Sequence, residues 1–193
     1  MERKTILVLS IVLAALVIAA GVIAMTRKPS FHGSLIDPPA PASEIKLTDS
    51  NGQPFTLGSQ RGKVVLMYFG YTNCPDECPL TMAKLKQTLD ILGKGSSNVQ
   101  VIMITTDPSR DNTAQLKKYV TQFNPLFLGL GGTPQQLQQV YQDYGVTVES
   151  NGETHSTFLY VIDQKGNFRL TFIGPEMNPQ DLADDVQTLL KGD

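Results

Sequence analysis

The chain has 193 residues, with 16 Lys and Arg against 18 Asp and Glu, so its formal net charge at pH 7 is −2. Beyond residue 28 the count is 12 basic against 17 acidic residues. A mildly acidic chain without a basic stripe is not expected to bind nucleic acid. Two cysteines and two histidines are present, so any thiol or imidazole chemistry has to use these few side chains.

The chain begins with an uncharged apolar run from Thr5 to Met25. At about 1.5 Å per residue, a helix of this length reaches roughly 30 Å, the thickness of the hydrocarbon core of a bilayer. The alternative is a cleaved signal peptide, whose apolar core usually runs about 7–15 residues. We therefore predict an uncleaved single anchor over residues 1–28. The basic residues on its two sides are nearly balanced, and the large following domain favours an exported C-terminus.

Residues 29–43 have the composition of a linker, with four prolines and few large apolar side chains. Such a segment is semi-rigid and extended. We predict a Pro-rich tether here, with His32 as a solvated tether residue. The remaining residues, 44–193, are enough for one domain with its own core.

The domain alternates between strand and helix signals. Continuous apolar runs over 63–69 and 99–105 predict strands that are buried on both faces. Thr133-Pro134 and Asn178-Pro179 are helix starts, with a capping residue followed by proline. The predicted elements are a hairpin over 44–57, a strand over 63–69, a helix over 79–92, a strand over 99–105, helices over 113–123 and 134–144, a strand pair over 157–173 and a helix to about 190.

Buried strands with helical crossovers, followed by an antiparallel pair, predict an α/β fold with a mixed central sheet and helices on both faces. A cysteine motif at the end of the first parallel strand, just before a helix, is the layout of a thioredoxin-like fold. The alternative is another α/β sandwich.

Cys74 and Cys78 are separated by three residues and each is followed by proline. Because Pro79 disfavours helical backbone angles at Cys78, we expect Cys78 to be the helix N-cap. The helix N-terminus favours thiolate, whereas Asp76 and Glu77 oppose a second negative charge. The two sulfurs can close a disulfide or bind one soft metal ion, and the local pattern leaves both open.

His155 is the one histidine of the predicted domain, and it lies between a polar turn and an apolar strand. Two thiolates and an imidazole form a soft ligand set that suits copper, especially Cu(I), and also accepts zinc. The alternative is a surface loop histidine. Asp107 and Asp111 follow the second buried strand, where turn formation and helix capping are the expected roles.

Three segments together resemble the Sco (SenC-type) family of copper proteins that take part in cytochrome c oxidase assembly. They are residues 68–82 (YFGYTNCPDECPLTM), 104–113 (ITTDPSRDNT) and 154–163 (THSTFLYVID). The anchor and tether also match the usual architecture of that family. The resemblance covers about residues 44–190.

The resemblance implies that Cys74, Cys78 and His155 bind one copper ion, as Cu(I) or Cu(II). It implies a chaperone that assists maturation of the dinuclear CuA centre, with the copper-binding subunit of a haem-copper oxidase as partner. A periplasmic copper donor and a thioredoxin-like reductant are further expected partners. The implied location is the bacterial inner membrane, with the soluble domain on the periplasmic side.

The chain departs from many relatives at two places without losing a ligand. Asn73 stands where a histidine often precedes the first cysteine, so no extra imidazole is available there. Glu153 and Thr154 replace the Val-Asp often found before the histidine, which bears on how His155 is oriented.

Two further functions use the same sulfurs. A thiol-disulfide reductase would use Cys74 and Cys78 as a redox pair to keep the cysteines of the apo copper site reduced. Most thioredoxin-like oxidoreductases also need a cis-proline loop facing the cysteines, and Thr154-His155 occupies that position here, which favours metal binding. A peroxidase would need activating residues such as Thr72 and Arg110, and we consider it the weakest of the three functions.

Overall fold

The computed structural model describes residues 8, 9, 11–19, 30–149 and 157–192. The chain separates into two compact units, residues 1–30 and 31–193. The described residues from 8 to 19 are helical. Within the described part of the chain, no helix is both long enough and apolar enough to cross a bilayer. The predicted span from Thr5 to Met25 lies partly outside that part.

In the second unit the described residues form an eight-stranded mixed sheet with the order β1-β8-β7-β4-β5-β6-β2-β3. Strands β4, β5 and β6 are parallel, and the other pairings are antiparallel. The strands are β1 (Ser34–Pro41), β2 (Lys46–Asp49), β3 (Pro54–Thr56), β4 (Val64–Gly70), β5 (Val99–Thr105), β6 (Leu128–Gly131), β7 (Phe158–Ile162) and β8 (Asn167–Ile173).

Four helices of this unit are described, with two short 3-10 segments at Leu57–Gln60 and Gly93–Asn98. The helices are α1 (Glu77–Leu92), α2 (Thr113–Thr121), α3 (Pro134–Asp143) and α4 (Pro179–Leu190). Apolar side chains of α1, α2 and α4 pack on one side of the sheet, and those of α3 pack on the other. This arrangement confirms the predicted mixed sheet with helices on both faces.

Strand β4 runs through the middle of the sheet, and its side chains alternate between the two cores. Leu66 and Tyr68 belong to the core under α1, α2 and α4, which we call the cysteine face because it contains Cys78. Met67 and Phe69 belong to the core under α3, which we call the aromatic face. Every residue of β4 is buried, as the continuous apolar run predicted.

Two strands were missed by the sequence analysis. Strand β1 lies inside the predicted tether and pairs with β8 at the edge of the sheet, with a register shift between Leu35 and Ala40. An edge strand tolerates prolines, because one side of its backbone faces away from the ladder. Strand β6 is short and contains two glycines. A Cβ at Gly129 would lie 2.8 Å from the Cβ of Leu116, so α2 packs directly on the backbone there.

The His32 side chain is exposed, as expected of a solvated residue, but it is not part of a free tether, because it pairs with the domain. The backbone N–H groups of His32 and Gly33 donate to the carboxylate of Asp185 on α4, at 3.0 and 2.9 Å. The His32 Nδ1 lies 2.9 Å from Asp185 Oδ1. This hydrogen bond, opposed by partial desolvation, raises the pKa of His32. The backbone just before β1 is therefore hydrogen-bonded to the buried carboxylate of Asp185 on α4.

The prediction that Cys78 caps a helix beginning at Pro79 is wrong. Helix α1 begins at Glu77 with Asp76 as its N-cap residue, so Cys78 lies within the first turn. Proline is tolerated here because the first backbone N–H groups of a helix have no partner within the helix. The missing N–H of Pro79 therefore costs the helix no hydrogen bond, and this outweighs the extended preference of the preceding residue.

Candidate metal centre

Cys74 lies in the loop between β4 and α1, and Cys78 lies in the first turn of α1. Both are free thiols. Cys74 is half-buried, whereas Cys78 is 3% exposed. The backbone N–H of Cys78 points to Cys74 Sγ at 3.4 Å, and the N–H of Cys74 donates to the carbonyl of Tyr71 at 3.3 Å. The turn therefore presents one sulfur partly to solvent and the other to the core.

Gly70, the last residue of β4, lets the strand end directly against the buried sulfur. A Cβ added at this position would lie 2.9 Å from Cys78 Sγ and 2.8 Å from the ring of Tyr68. Real Cβ atoms do not approach a neighbour this closely, so any larger residue would displace the cysteine or the tyrosine. The glycine is a packing requirement of the site.

Cys78 is a thiol at neutral pH in the metal-free protein. Burial, followed by the hydrogen bond with Cys74, raises the pKa of Cys78 to about 12. The hydroxyl of Tyr68 donates to Cys78 Sγ over 3.8 Å, and burial raises the pKa of this tyrosine as well. A buried protonated thiol is a poor nucleophile, and a positive charge beside Cys78 would favour its thiolate form.

Tyr119 of α2 packs against the same core as the cysteines, and no sequence pattern marked it. Its ring packs on the cysteine face, with the ring of Phe123 5.4 Å away. Its hydroxyl is buried and has no hydrogen-bond partner among the described residues. Burial raises the pKa of Tyr119, and negative charge on Cys78 or Cys74 raises it further. The Tyr119 ring and both cysteines thus pack in the same core.

Asp111 ties the cysteine loop to the end of β5. Its buried carboxylate accepts hydrogen bonds from the Thr72 N–H at 3.1 Å, the Thr72 hydroxyl at 2.5 Å and the Thr105 hydroxyl at 2.6 Å. The expected capping role is wrong, because Asn112 is the N-cap of α2 and its side chain accepts from the Gln115 N–H at 3.0 Å. The adjacent Asn112, a good capping residue, was the signal that Asp111 was available for another role.

Asp107 has the predicted turn role. Its carboxylate accepts from the Ser109 hydroxyl at 2.6 Å and pairs with the Arg110 guanidinium. Burial works against the charged form, but the hydrogen bonds from Ser109 and Arg110 outweigh it and lower the pKa of Asp107. The Arg110 that a peroxidase would use to activate a cysteine is thus bound to a carboxylate of its own turn.

His155 lies outside the described residues. The described chain resumes at Thr157, whose carbonyl accepts from the Gly174 N–H at 2.8 Å. Strand β7 then runs antiparallel to β4, with Leu159 opposite Tyr68. The start of β7 therefore lies beside the end of β4, where the cysteine loop begins. Within residues 30–149 and 157–192, no three His, Cys, Asp or Glu side chains are grouped to hold a metal ion.

The sequence profile of one family, SCO1/SenC, matches residues 36–191 of the chain. The chain belongs to the SCO1/SenC family. A SCO2-like protein of Rickettsia felis is 36% identical over 134 residues, which are 65% of this chain and 65% of that protein. A putative copper-binding protein of Stutzerimonas stutzeri is 33% identical over 134 residues, covering 69% of this chain and 64% of that protein. The matches thus span about two thirds of these relatives' length.

Solved structures of the family share this fold. The copper-bound ScoI of Bradyrhizobium japonicum has a TM-score of 0.69 and 33% identity, over 78% of this chain and 99% of that one. The apo Sco1 of Thermus thermophilus has a TM-score of 0.73 and 32% identity, over 83% of this chain and 97% of that one. The predicted thioredoxin-like architecture of the Sco proteins is confirmed for the domain.

Proposed function

We propose that this protein binds one copper ion through Cys74, Cys78 and His155 and delivers it during assembly of the CuA centre of cytochrome c oxidase. The observation that carries the proposal is the pair of free thiols at the start of α1, with Cys74 half-buried and Cys78 buried. A soft cation removes the barrier to ionising that sulfur, because its charge compensates the thiolates. The structure of a relative, ScoI of Bradyrhizobium japonicum, contains bound copper, which supports copper as the ion.

The residues of the cysteine turn fit a soft ion. Two sulfurs on one tight turn form a pair of thiolate ligands, which suit Cu(I), and an imidazole adds a ligand that Cu(II) also accepts. On binding, Cys78 releases its proton, Tyr68 remains a donor to its sulfur, and Gly70 leaves room for it. The protein supplies orientation and exclusion of water, and copper is the cargo.

The connectivity of the chain supports His155 as the third ligand. His155 is three residues before Phe158, the first residue of β7, and three residues of extended chain span at most about 10 Å. Strand β7 begins beside the end of β4, from which the cysteine loop leaves. A histidine on this short connection can therefore be brought to the thiol pair.

The location and partners follow from the sequence and from the family. The apolar run over residues 5–25 would anchor the chain in the bacterial inner membrane, with the soluble domain on the periplasmic side. The receiving partner would be the copper-binding subunit of a haem-copper oxidase. A periplasmic copper donor would load the site, and a thioredoxin-like reductant would return a Cys74–Cys78 disulfide to the dithiol form.

The second candidate is a thiol-disulfide reductase. The half-buried position of Cys74 favours it, since this sulfur can be reached by a partner disulfide. In that reaction Cys74 and Cys78 lose two protons and two electrons to form their own disulfide, and the partner disulfide becomes two thiols. The raised pKa of Cys78 opposes this function, because the second sulfur has to ionise to complete the exchange.

The test is a titration of the reduced full-length chain with Cu(I) and with Cu(II), in comparison with three variants. Cys78→Ser should lose at least about 100-fold in affinity for both ions, since it removes a thiolate ligand. His155→Ala should weaken Cu(II) binding more than Cu(I) binding. His32→Ala is the matched histidine control and should change neither affinity, because its ring is engaged with Asp185.

Unchanged copper affinities in His155→Ala would remove the third ligand from the proposal, and retention of copper by Cys78→Ser would overturn the site. The reductase is measured on the same preparations as the rate of reduction of a disulfide in a CuA-site peptide. If that rate is high in the metal-free dithiol and intact in His155→Ala while copper binding is weak, the second candidate replaces the first.

A further inference from the structure

Gly174 lies where the chain leaving β8 passes between helix α1 and the start of β7. It is buried, and its backbone N–H donates to the Thr157 carbonyl at 2.8 Å, one position beyond the last paired residues of β7 and β8. A Cβ added at Gly174 would lie 2.9 Å from that carbonyl oxygen and 2.9 Å from both Oγ1 and Cγ2 of Thr81 on α1. The helix and the strand therefore approach this closely because residue 174 has no side chain.

Neither neighbour of Gly174 can make room for a side chain by a simple rotation. Both heavy atoms on the Cβ of Thr81 face Gly174, so every staggered rotamer leaves at least one of them against it. Thr81 is also 0% exposed, so its side chain has no solvent to turn into. The Thr157 oxygen belongs to the backbone and moves only with the start of β7. The separation of α1 from the start of β7 is thus set at position 174.

Helix α1 is also bonded to the turn that follows Gly174. The ammonium of Lys84 donates to the carbonyls of Pro175 and Met177 at 2.8 and 3.0 Å. Thr81 is three positions after Cys78, so the two side chains are neighbours on one side of the helix, and both are buried. The turn is therefore attached to the part of α1 that holds the buried sulfur.

We propose that Gly174 is a positioning residue that sets the distance between the start of β7 and the cysteine pair on α1. The inference rests on the proposed function, in which His155 is the third ligand. His155 precedes Thr157 by two residues, which is at most about 7 Å of extended chain. A shift of Thr157 away from α1 would carry the imidazole away from the sulfurs, whereas the two thiolates keep their own spacing on one turn.

The expected signature is a change in the balance between the two copper ions. Cu(I) relies on the thiolates, whereas Cu(II) depends more on the imidazole. Groups that orient a metal ligand typically change metal affinity by roughly 10- to 100-fold. Crowding at Gly174 should therefore weaken Cu(II) binding and affect Cu(I) binding much less.

The experiment compares Gly174→Ala with Gly129→Ala in the full-length chain. Both substitutions add one methyl group at a buried glycine, and the one at Gly129 would lie 2.8 Å from the Cβ of Leu116 on α2 instead of against β7. Urea unfolding and hydrogen exchange at the residue 174 amide are measured on the reduced, metal-free chains. Binding of Cu(I) and Cu(II) is then titrated.

Both alanine variants should unfold at lower urea concentration, because overpacking a well-packed core destabilises it. Gly174→Ala should in addition lower the ratio of Cu(II) to Cu(I) affinity by about tenfold. Its residue 174 amide should exchange faster, because the hydrogen bond to Thr157 is displaced. Gly129→Ala should keep the wild-type affinity ratio and the wild-type exchange at Gly174.

Thr81→Ala tests the same spacing from the side of the helix, and it keeps the inference testable if Gly174→Ala does not fold. Alanine favours the helix, and the Thr81 hydroxyl has no hydrogen-bond partner within the described part of the chain. Without this side chain the start of β7 loses its contact with α1, so the ratio of Cu(II) to Cu(I) affinity should fall. The double variant with Gly174→Ala refills the space and should regain both stability and ratio.

The results that would overturn the inference are distinguishable from failure of the proposed function. If the wild-type chain binds copper while Gly174→Ala and Thr81→Ala keep its affinity ratio, the positioning role fails and the proposed function stands. In a His155→Ala background, Gly174→Ala should cause no further loss of Cu(II) affinity. A further loss of the same size would place the effect outside His155 and also overturn the role. If the wild-type chain binds neither ion, both fail together.

Discussion

The two faces of the central sheet use tyrosine in opposite ways. On the aromatic face the hydroxyls of Tyr141 and Tyr144 each donate to a backbone carbonyl at 2.6 Å, and that of Tyr160 does so at 3.0 Å. On the cysteine face the Tyr68 hydroxyl donates to a sulfur over 3.8 Å, and the Tyr119 hydroxyl has no partner among the described residues. On the aromatic face the tyrosine hydroxyls bond to the backbone, whereas the cysteine face carries the two free thiols.

The packing of the rings agrees with this division. Phe69 is in edge or tilted contact with three tyrosine rings, with centroids 5.6 to 6.2 Å apart. Its neighbours on β4, Tyr68 and Gly70, face or adjoin the buried sulfur instead. One strand therefore contributes to stability with one side and to the thiol site with the other, and substitutions on it should separate the two properties.

The largest expected effect is on the aromatic face. Phe69→Ala should lower the free energy of unfolding by about 3–5 kcal/mol, because it leaves a cavity among the surrounding rings. The copper affinity of the folded fraction should stay the same. Urea unfolding and a copper titration check the two parts. Phe69→Leu, which keeps most of the volume, is the control and should lose much less stability.

If Phe69→Leu loses more free energy of copper binding than free energy of unfolding, the two faces are coupled through β4. The proposed division between the faces would then be wrong.

A smaller effect is expected at Asp111, which belongs to the thiol side. Asp111→Asn replaces a carboxylate that accepts three hydrogen bonds with an amide that has one acceptor oxygen. We expect a loss of about 1–3 kcal/mol in stability and a roughly tenfold loss of copper affinity through the loosened Thr72 loop. The affinity is measured under conditions in which the variant remains folded.

Asp107→Asn is the matched comparison, because the Asp107 carboxylate bonds within its own turn to Ser109 and Arg110. It should lower stability without changing copper affinity. Equal losses of affinity in the two variants would assign the effect to the whole turn after β5 and not to the tie made by Asp111.

The smallest effect is expected at His32, far along the chain from the cysteines. The pKa of His32 is raised from 6.5 by its hydrogen bond to Asp185, so protonated His32 stabilises the folded state. This contribution is fully present below about pH 6.5 and is lost as the pH rises through the raised pKa. His32→Ala should therefore be less stable than wild type at pH 5.5 and nearly equal at pH 9.

The backbone N–H groups of residues 32 and 33 still bind Asp185 in His32→Ala, so the tie before β1 should survive the substitution. Urea unfolding at the two pH values measures the difference. A destabilisation that grows with pH would contradict the sign of the linkage and place the stabilising form in the neutral imidazole.

Local patterns predicted those parts of the fold in which local and tertiary preferences agree. The apolar runs of β4 and β5 are strands because no other element would bury both of their faces. The Thr133-Pro134 start of α3 was correct because capping is a contact within four residues. Strands β1 and β6 were missed for the reverse reason: prolines and glycines argue against strands, and only pairing with β8 and packing under Leu116 override them.

The candidate site was likewise predicted only in part from the sequence. The cysteine pair and the family resemblance were visible in the sequence. The role of Asp111 was not, because it depends on a partner brought close by the fold. Thr72 is 39 residues from Asp111.

The sequence by itself determined the functional groups of this protein. They are two thiols on a proline-bounded turn after a buried strand, and a histidine before a later strand. These depend on residue type and short spacing, which the sequence carries directly. The tertiary structure alone decided which thiol is buried and which carboxylate holds the loop. Burial and hydrogen bonding depend on which groups lie close together in the folded chain. The order of the strands in the sheet sets which groups these are.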